Sequence, residues 1–391
     1  MQQLQRDGGF DDEFTEEVNT TSTNINDMSQ LVNQYKENNM AQKPSYAAPN
    51  LSDLSDLKDE QKVMNPAVKQ PTVQVIAAGG CGQNILKAIF KCNPQFDTKI
   101  DYRVIDTSAS NVSGIPQEIP FDAIGELGSG KDRGKNLDAI QKYIDTHPDL
   151  FKQASDITFI LFSLAGGSGS VIAPLLAHRI LRNSNRCVVL VGVVDASSER
   201  DCINSINTIR SFASSAEKNG HYFPLMLFNN HGVGRFAVNK TAAQRTIEMI
   251  DLLTSKEIEE IDYNDKMHYL RPTTMNCPAG LYLLSVTATN SDQAEDLAGE
   301  DDSVIGVGDV LHACMVVNDT GLTPDVLTAF TCVGIAEEKR FFSAIGKTVP
   351  QELINFLNET RERYQENTIQ KDHSNKDLAG SGNDTAAGLI I

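Results

Sequence analysis

Residues 163–170, Ser-Leu-Ala-Gly-Gly-Ser-Gly-Ser, link an apolar run at 156–162 to a second at 171–181. The first run is β-branched and aromatic, as a buried strand is; the second has the length of a helix and carries Pro174 in its first turn, where a missing N–H costs nothing. Three glycines between a strand and a helix leave backbone N–H groups bare, and the helix N-terminus favours negative charge there. Ala165, Gly166, Gly167, Ser168, Gly169 and Ser170 are therefore candidates to cradle phosphate, although an ordinary glycine-rich turn has the same composition. Two other segments have this character. Gly79, Gly80, Cys81, Gly82 and Gln83 close the apolar run 72–78, and Gly128, Ser129 and Gly130 lie within the stretch 125–132, Gly-Glu-Leu-Gly-Ser-Gly-Lys-Asp.

Each segment alone has a familiar rival. Gly80-Cys-Gly82 supplies the first two glycines of a dinucleotide fingerprint, with Asp106 placed for a ribose, but Ile85 stands at the third. The stretch 125–132 comes within one residue of a P-loop, but Asp132 replaces the hydroxyl that would bind Mg²⁺ and puts negative charge beside phosphate. It reads better as a lid whose amides meet a terminal phosphate. Three glycine loops at the C-terminal ends of parallel strands converge on one crevice. Neither a dehydrogenase nor a P-loop enzyme uses all three.

The elements that must carry these loops alternate. Strands are expected at 72–78, 102–106, 157–162, 187–194 and 222–228, with helices at about 79–90, 135–144, 171–181 and 203–216 between them. Such βαβα order predicts an α/β, Rossmann-like parallel sheet with helices on both faces. A long helix follows at 233–256, apolar over a broad stripe. Beyond 272 the texture turns to strands at 281–288, 305–317 and 330–335, then a helix at 350–366 and a polar tail ending Gly-Leu-Ile-Ile. The expected organisation is a disordered polar, acidic N-terminal arm (1–70), a nucleotide-binding domain (71–232), a central helix (233–257), an acidic loop (258–270), a smaller C-terminal α/β domain (271–347), and a helix with a flexible tail (348–391).

Bulk properties narrow the partners. A net charge of −18 over 391 residues argues against direct contact with nucleic acid, and no Lys/Arg run offsets it. The seven cysteines are scattered and never spaced CxxC, as reduced cytoplasmic thiols are. No apolar stretch reaches the roughly 18 residues of a membrane span. Residues 28–35 and 51–57 are short apolar spacings inside the arm.

Taken in order, the three loops resemble those of the tubulin/FtsZ superfamily of polymerising GTPases, over roughly residues 72–345. Two downstream features sharpen the resemblance: Phe228-Asn229-Asn230, and Phe236 with Asn239 opening the long helix. The resemblance implies that the glycine loops hold GTP or GDP, that Asp106 stands near Mg²⁺, that Glu199 contacts ribose, and that Asn229, Phe236 and Asn239 hold guanine. Ile203 replaces the arginine expected a turn after Glu199. It also implies that Asp262 and Asp265, in Glu-Ile-Asp-Tyr-Asn-Asp, belong to the loop that completes the next subunit's site, so that a head-to-tail homopolymer hydrolyses GTP at its interfaces. The wording is most similar to the phage-encoded tubulins, whose filaments position phage DNA in an infected bacterium and whose C-terminal tails dock on neighbouring subunits. The alternatives are a plasmid-partition or cell-division homologue and a nucleotide-binding filament with little hydrolysis.

Overall fold

Parallel strands covered by helices on both faces read as near-continuous apolar runs, and the first, fourth and fifth strands do so, broken only by Gln74, Thr158 and Ser163. In the computed structural model of the chain, which describes residues 69–125, 128–183, 185–230, 234–256, 258, 261–271, 278–290, 326–333, 339–346 and 351–380, these runs form a nine-stranded sheet. β1 (Val73–Ala78) leads directly into α1 (Gly79–Cys92), followed by β2 (Ile100–Asp106), β3 (Phe121–Ala123), α2 (Arg133–Thr146) and the short α3 (Asp149–Lys152). Then come β4 (Ile157–Ser163), α4 (Gly169–Leu181), β5 (Cys187–Val194), α5 (Glu199–Asn219), β6 (Tyr222–Asn229) and the long α6 (Arg235–Thr254). The remainder is α7 (Tyr263–Tyr269), β7 (Gly280–Asn290), β8 (Val326–Val333), β9 (Lys339–Gly346) and α8 (Gln351–Gly380).

The strand order is β3-β2-β1-β4-β5-β6-β7-β9-β8. Pairing is parallel from β3 to β7 and antiparallel among β7, β9 and β8. Alternation sorts the apolar residues into two cores. Val73, Val75 and Ala77 of β1 and Ile157, Phe159 and Leu161 of β4 face the layer that holds α1, α6 and α7. Ile76 and Ala78, with Ile160 and Phe162, face the layer of α2, α4, α5 and α8. Each side chain such as Phe159, fully buried, contributes roughly 1.5–3 kcal/mol.

β7 joins the parallel and antiparallel parts: Tyr222 pairs with Gly280 in the parallel sense, and Leu284 pairs with Ile345 in the antiparallel sense. The sheet therefore runs on past residue 271, and β9, unforeseen from the sequence, is its link to β8. The C-terminal helix continues to Gly380, beyond the expected end at 366. The expected strand at 305–317, the apolar spacings at 28–35 and 51–57, and the final Gly-Leu-Ile-Ile lie outside the described residues. No helix among the described residues is long and apolar enough to cross a membrane.

The parallel strands give the molecule two poles. Their C-terminal ends carry the glycine loops. At their N-terminal ends lies α7, where the Cys187 thiol, on the first residue of β5, donates to the Met267 carbonyl at 3.6 Å.

Candidate functional site

Two helix N-termini meet at the first pole. β1 passes into α1 without a loop, through Gly79 at φ +72°, a conformation that side-chain-bearing residues rarely adopt. A Cβ on Gly79 would lie 2.8 Å from the Gly169 nitrogen, and one on Gly169 would lie 2.5 Å from the Ala78 oxygen. Only glycines let the first turns of α1 and α4 come this close. Their N–H groups face a cleft of about 560 Å³, a volume suited to a nucleotide. Gly79, Gly80, Cys81, Ala165, Gly166, Gly167, Ser168 and Gly169 all line it. Burial pushes the Cys81 thiol up to about 12, so it stays protonated and neutral beside the cleft.

The lid lies over the third loop. A Cβ on Gly167 would meet Ser129 Oγ at 2.4 Å and Lys131 Cα at 2.8 Å. Gly128, Ser129 and Lys131 line the cleft; Gly130 does not, and its carbonyl accepts from Arg200 at 3.3 Å. Asp132, the residue that breaks the P-loop pattern, caps α2 by accepting from the Lys135 N–H at 3.1 Å. Lys131 takes a left-handed backbone (φ +56°) and sends its ammonium to Asp201 at 2.7 Å. Asn204 ties the two loops together, donating to the carbonyls of Lys131 (3.1 Å) and Ala165 (3.0 Å). A cation from the lid thus stands on the first turn of α5, two residues before the position where Ile203 replaces the expected arginine.

Asp106 ends β2 almost fully buried at the cleft wall. Its carboxylate accepts from Gln83 Nε2 at 2.6 Å and from the Thr107 N–H at 2.7 Å. Burial raises its pKa above the ordinary value, against hydrogen bonds from Ser168, Thr107 and Gln83 that pull the other way. No group of three or more His, Cys, Asp or Glu that would hold a metal occurs among the described residues. A nucleotide-bound Mg²⁺ does not need one, since it keeps several waters and takes one or two protein oxygens beside phosphate. Asp106, Thr107 and Ser108, all lining the cleft, are hard oxygen donors that fit this role.

The other end of the cleft carries Asp195, Asn230, Arg235 and Asn239. Burial opposes ionisation of Asp195, but hydrogen bonds from Ser197 and Asn230 and the nearby Lys131 charge outweigh it and hold its pKa below the ordinary value. Asn230 Nδ2 donates to Asp195 at 2.9 Å, which leaves Asn230 Oδ1 buried without a partner. Asn230 lines the cleft, and an acceptor without a partner there suits a donor such as the N1–H and N2–H edge of guanine.

Several expected residues lie elsewhere. Asn229 ends β6 outside the lining, and its neighbour Asn230 takes the place in the cleft. Glu199 points to the other side of α5, where it accepts from Gln365 of α8 at 2.7 Å; Asp201, two residues on, is the acid that faces in. Phe236 is 78% exposed and does not line the cleft. Gly82, Gln83 and Ser170 form its floor rather than its surface: a Cβ on Gly82 would lie 2.1 Å from the Leu161 oxygen, and Ser170 Oγ donates to the Gly166 carbonyl. Of the other charged residues lining the cleft, Lys131 stands in the near-P-loop stretch but was not read as a site residue, and no local pattern marks Asp195, Asp201 or Arg235. Their roles come from contacts between segments up to 70 residues apart.

Asp262 and Asp265 are at the opposite pole. They form a reciprocal cap on α7: Asp262 Oδ1 accepts from the N–H groups of Asn264 (2.7 Å) and Asp265 (2.9 Å), and Asp265 Oδ2 accepts from the Asp262 N–H at 3.1 Å. Both are exposed.

No family model matches the chain. It is 24% identical over 206 residues to a phage tubulin-like protein of Pseudomonas phage 201phi2-1, covering 51% of this chain and 62% of that one. It is 22% identical over 231 residues to the tubulin-like protein CetZ of Methanothrix thermoacetophila, covering 49% and 59%. The matched segments thus span about six tenths of the length of these relatives. Among solved structures, the phage tubulin PhuZ with GDP superposes with a TM-score of 0.59 at 18% identity, covering 82% of this chain and 95% of that one. A protofilament of TubZ from bacteriophage PhiKZ gives 0.58 at 17%, with the same coverage. CetZ2 from Haloferax volcanii, a GTPγS-bound protofilament, gives 0.54 at 14%, covering 77% and 99%. The fold is that of the tubulin/FtsZ superfamily.

Proposed function

We propose that the chain binds GTP in this cleft with Mg²⁺, polymerises head to tail into filaments, and hydrolyses GTP when Asp262 and Asp265 of one subunit enter the cleft of the next. One observation carries this: the nucleotide cleft and the acidic turn lie at opposite poles of the same parallel sheet. The six residues of β1 alone span roughly 20 Å at about 3.3 Å per residue, so no carboxylate of α7 reaches its own cleft. A second copy must bring it, and a contact between unlike poles is heterologous and propagates. That the TubZ and CetZ2 neighbours are protofilaments supports assembly of this fold into filaments.

Within such an interface each part of the chain has a task. The N–H groups of α1 and α4 hold phosphate oxygens, while Lys131 balances charge contributed by Asp195 and Asp201. Asn230 Oδ1 reads the guanine edge, with Arg235 and Asn239 beside it. A carboxylate of α7 orients a water for in-line attack and takes its proton. Mg²⁺, when bound beside Asp106, offsets the negative charge of the phosphates. On this reading residues 71–232 are the nucleotide-binding part, and the C-terminal tail docks on neighbouring subunits. The phage source of one relative favours filaments that position phage DNA in the cytoplasm of an infected bacterium.

GTPase rate against protein concentration, with light scattering in the same cuvette and ATP as control, tests the whole. Activity per subunit is expected to rise from near zero above a threshold at which scattering appears. A flat rate would mean a self-contained site. Binding and scattering without turnover would favour a structural filament, a reading that the commitment of both carboxylates to helix capping makes specific.

Two substitutions probe the ends of the cleft. Lys131→Gln is expected to weaken GTP binding about 10-fold or more, the effect of losing one charge-assisted contact, measured by displacement of a fluorescent guanine nucleotide. Asn230→Ala is expected to lower the GTP:ATP preference about 10-fold, since the guanine edge then lacks its acceptor; an unaltered ratio removes Asn230 from base recognition.

A further inference from the structure

The segment that enters β1 is fastened to the first turn of α7. Lys69 places its ammonium 3.8 Å from the centroid of the Tyr263 ring, and Tyr263 is the residue between the cap Asp262 and the rest of α7. Gln70 Oε1 accepts from Lys266 Nζ at 2.8 Å, and Lys266, next to Asp265, is 2% exposed. Thr72 closes the same edge: its N–H and hydroxyl both reach Asp156 Oδ2, at 3.0 and 2.9 Å, and its hydroxyl accepts from the Asp156 N–H at 2.9 Å. Nothing in the cleft explains these contacts, for they lie at the other pole. They grip the residues that flank both carboxylates.

We infer that Lys69 and Gln70 are positioning residues for hydrolysis: the clasp they form on Tyr263 and Lys266 fixes the direction in which Asp262 and Asp265 are presented to the nucleotide of the next subunit. The inference rests on the proposed GTPase reading and extends it to the chain preceding β1. A turn of only seven residues, capped by the same carboxylates that must reach across an interface, has little of its own to hold it. A buried ammonium demands partners, so the Gln70–Lys266 contact resists displacement, and the cation–π contact adds a second point that prevents α7 from rotating about it. Two points on successive turns fix an axis where one would leave it free.

The test uses the full chain with Lys69→Ala/Gln70→Ala, and Lys69→Arg as the conservative variant. The double variant is expected to bind GTP as a monomer with unchanged affinity and to form filaments at an unchanged scattering threshold. Its turnover per subunit at saturating GTP is expected to fall about 5-fold or more, and Lys69→Arg, which keeps the cation over the ring, is expected to restore most of what Lys69→Ala alone loses. Equal turnover in wild type and double variant overturns the inference while leaving the GTPase reading intact. So does a fall in GTP affinity with it, which would mark general loosening of the fold. A raised scattering threshold with full turnover above it also overturns positioning, because the clasp would then act on assembly. If the wild-type chain shows no concentration-dependent GTPase at all, the functional reading fails first and this inference with it.

Discussion

Asp265→Asn is expected to slow GTP turnover by about 100-fold or more, the usual scale for loss of a positioned general base, while GTP binding and filament formation persist. Asparagine is the informative replacement because Asp265 has two tasks. Its Oδ2 accepts from the Asp262 N–H at 3.1 Å, and an amide oxygen can do the same. The cap therefore survives while the base is lost. Alanine at Asp262 would strip the acceptor for Asn264 and Asp265 and cost about 1 kcal/mol of local stability, mixing loosened structure with lost chemistry. Since hydrolysis would be what destabilises the polymer, filaments of the Asn variant are expected to outlive those of the wild type. Phosphate release and scattering decay measured together check both statements. Unchanged turnover per subunit would remove Asp265 from the mechanism and leave its cap as its whole role.

The central parallel strands were legible because they are written without ambiguity, whereas the three-residue edge strand β3 was not foreseen. β4 and β5 are apolar at nearly every position, which only a strand covered on both faces allows, and the glycine loops that follow β1 and β4 announce close backbone approach. The cleft's backbone floor came with them. What the sequence left obscure is the part built by side chains from distant segments. Asp201 faces the cleft and Glu199 does not because α5 turns about 100° per residue, so two acids two residues apart point to different sides, and only packing against α8 decides which. Asn229 and Asn230 differ by a single step at a strand end, where alternation reverses the side chain. Phe236 and Arg235 raise the same problem at the start of α6: the aromatic residue is exposed and the cation lines the cleft. β9 escaped notice because its run, Lys-Arg-Phe-Phe-Ser-Ala-Ile-Gly, opens on two charges and contains Gly and Ala, and it becomes a strand by pairing on both edges.

Gly82→Ala is expected to lower stability by about 3 kcal/mol and to abolish GTP binding. The added Cβ would lie 2.1 Å from the Leu161 oxygen and 3.1 Å from the Ala77 carbonyl carbon, both backbone atoms of the sheet that cannot rotate away. α1 would have to lift off β1 and β4 at its fourth residue, loosening Ile85, Leu86 and Ile89, which are fully buried one and two turns later. The same tilt would swing the N–H groups of Gly79, Gly80 and Cys81 away from those of α4, so the anion site would be lost by the same motion that unpacks the core. Gly220→Ala provides the contrast. Gly220 ends α5 at φ +67° with nothing within 4 Å of an added Cβ, so its replacement costs about 1 kcal/mol of backbone strain and should leave nucleotide binding untouched. Thermal unfolding and nucleotide titration of the two variants separate crowding from strain. If Gly82→Ala melts with the wild type and binds GTP normally, α1 and β4 do not approach as closely as the cradle requires, and the phosphate site built on that approach falls with it.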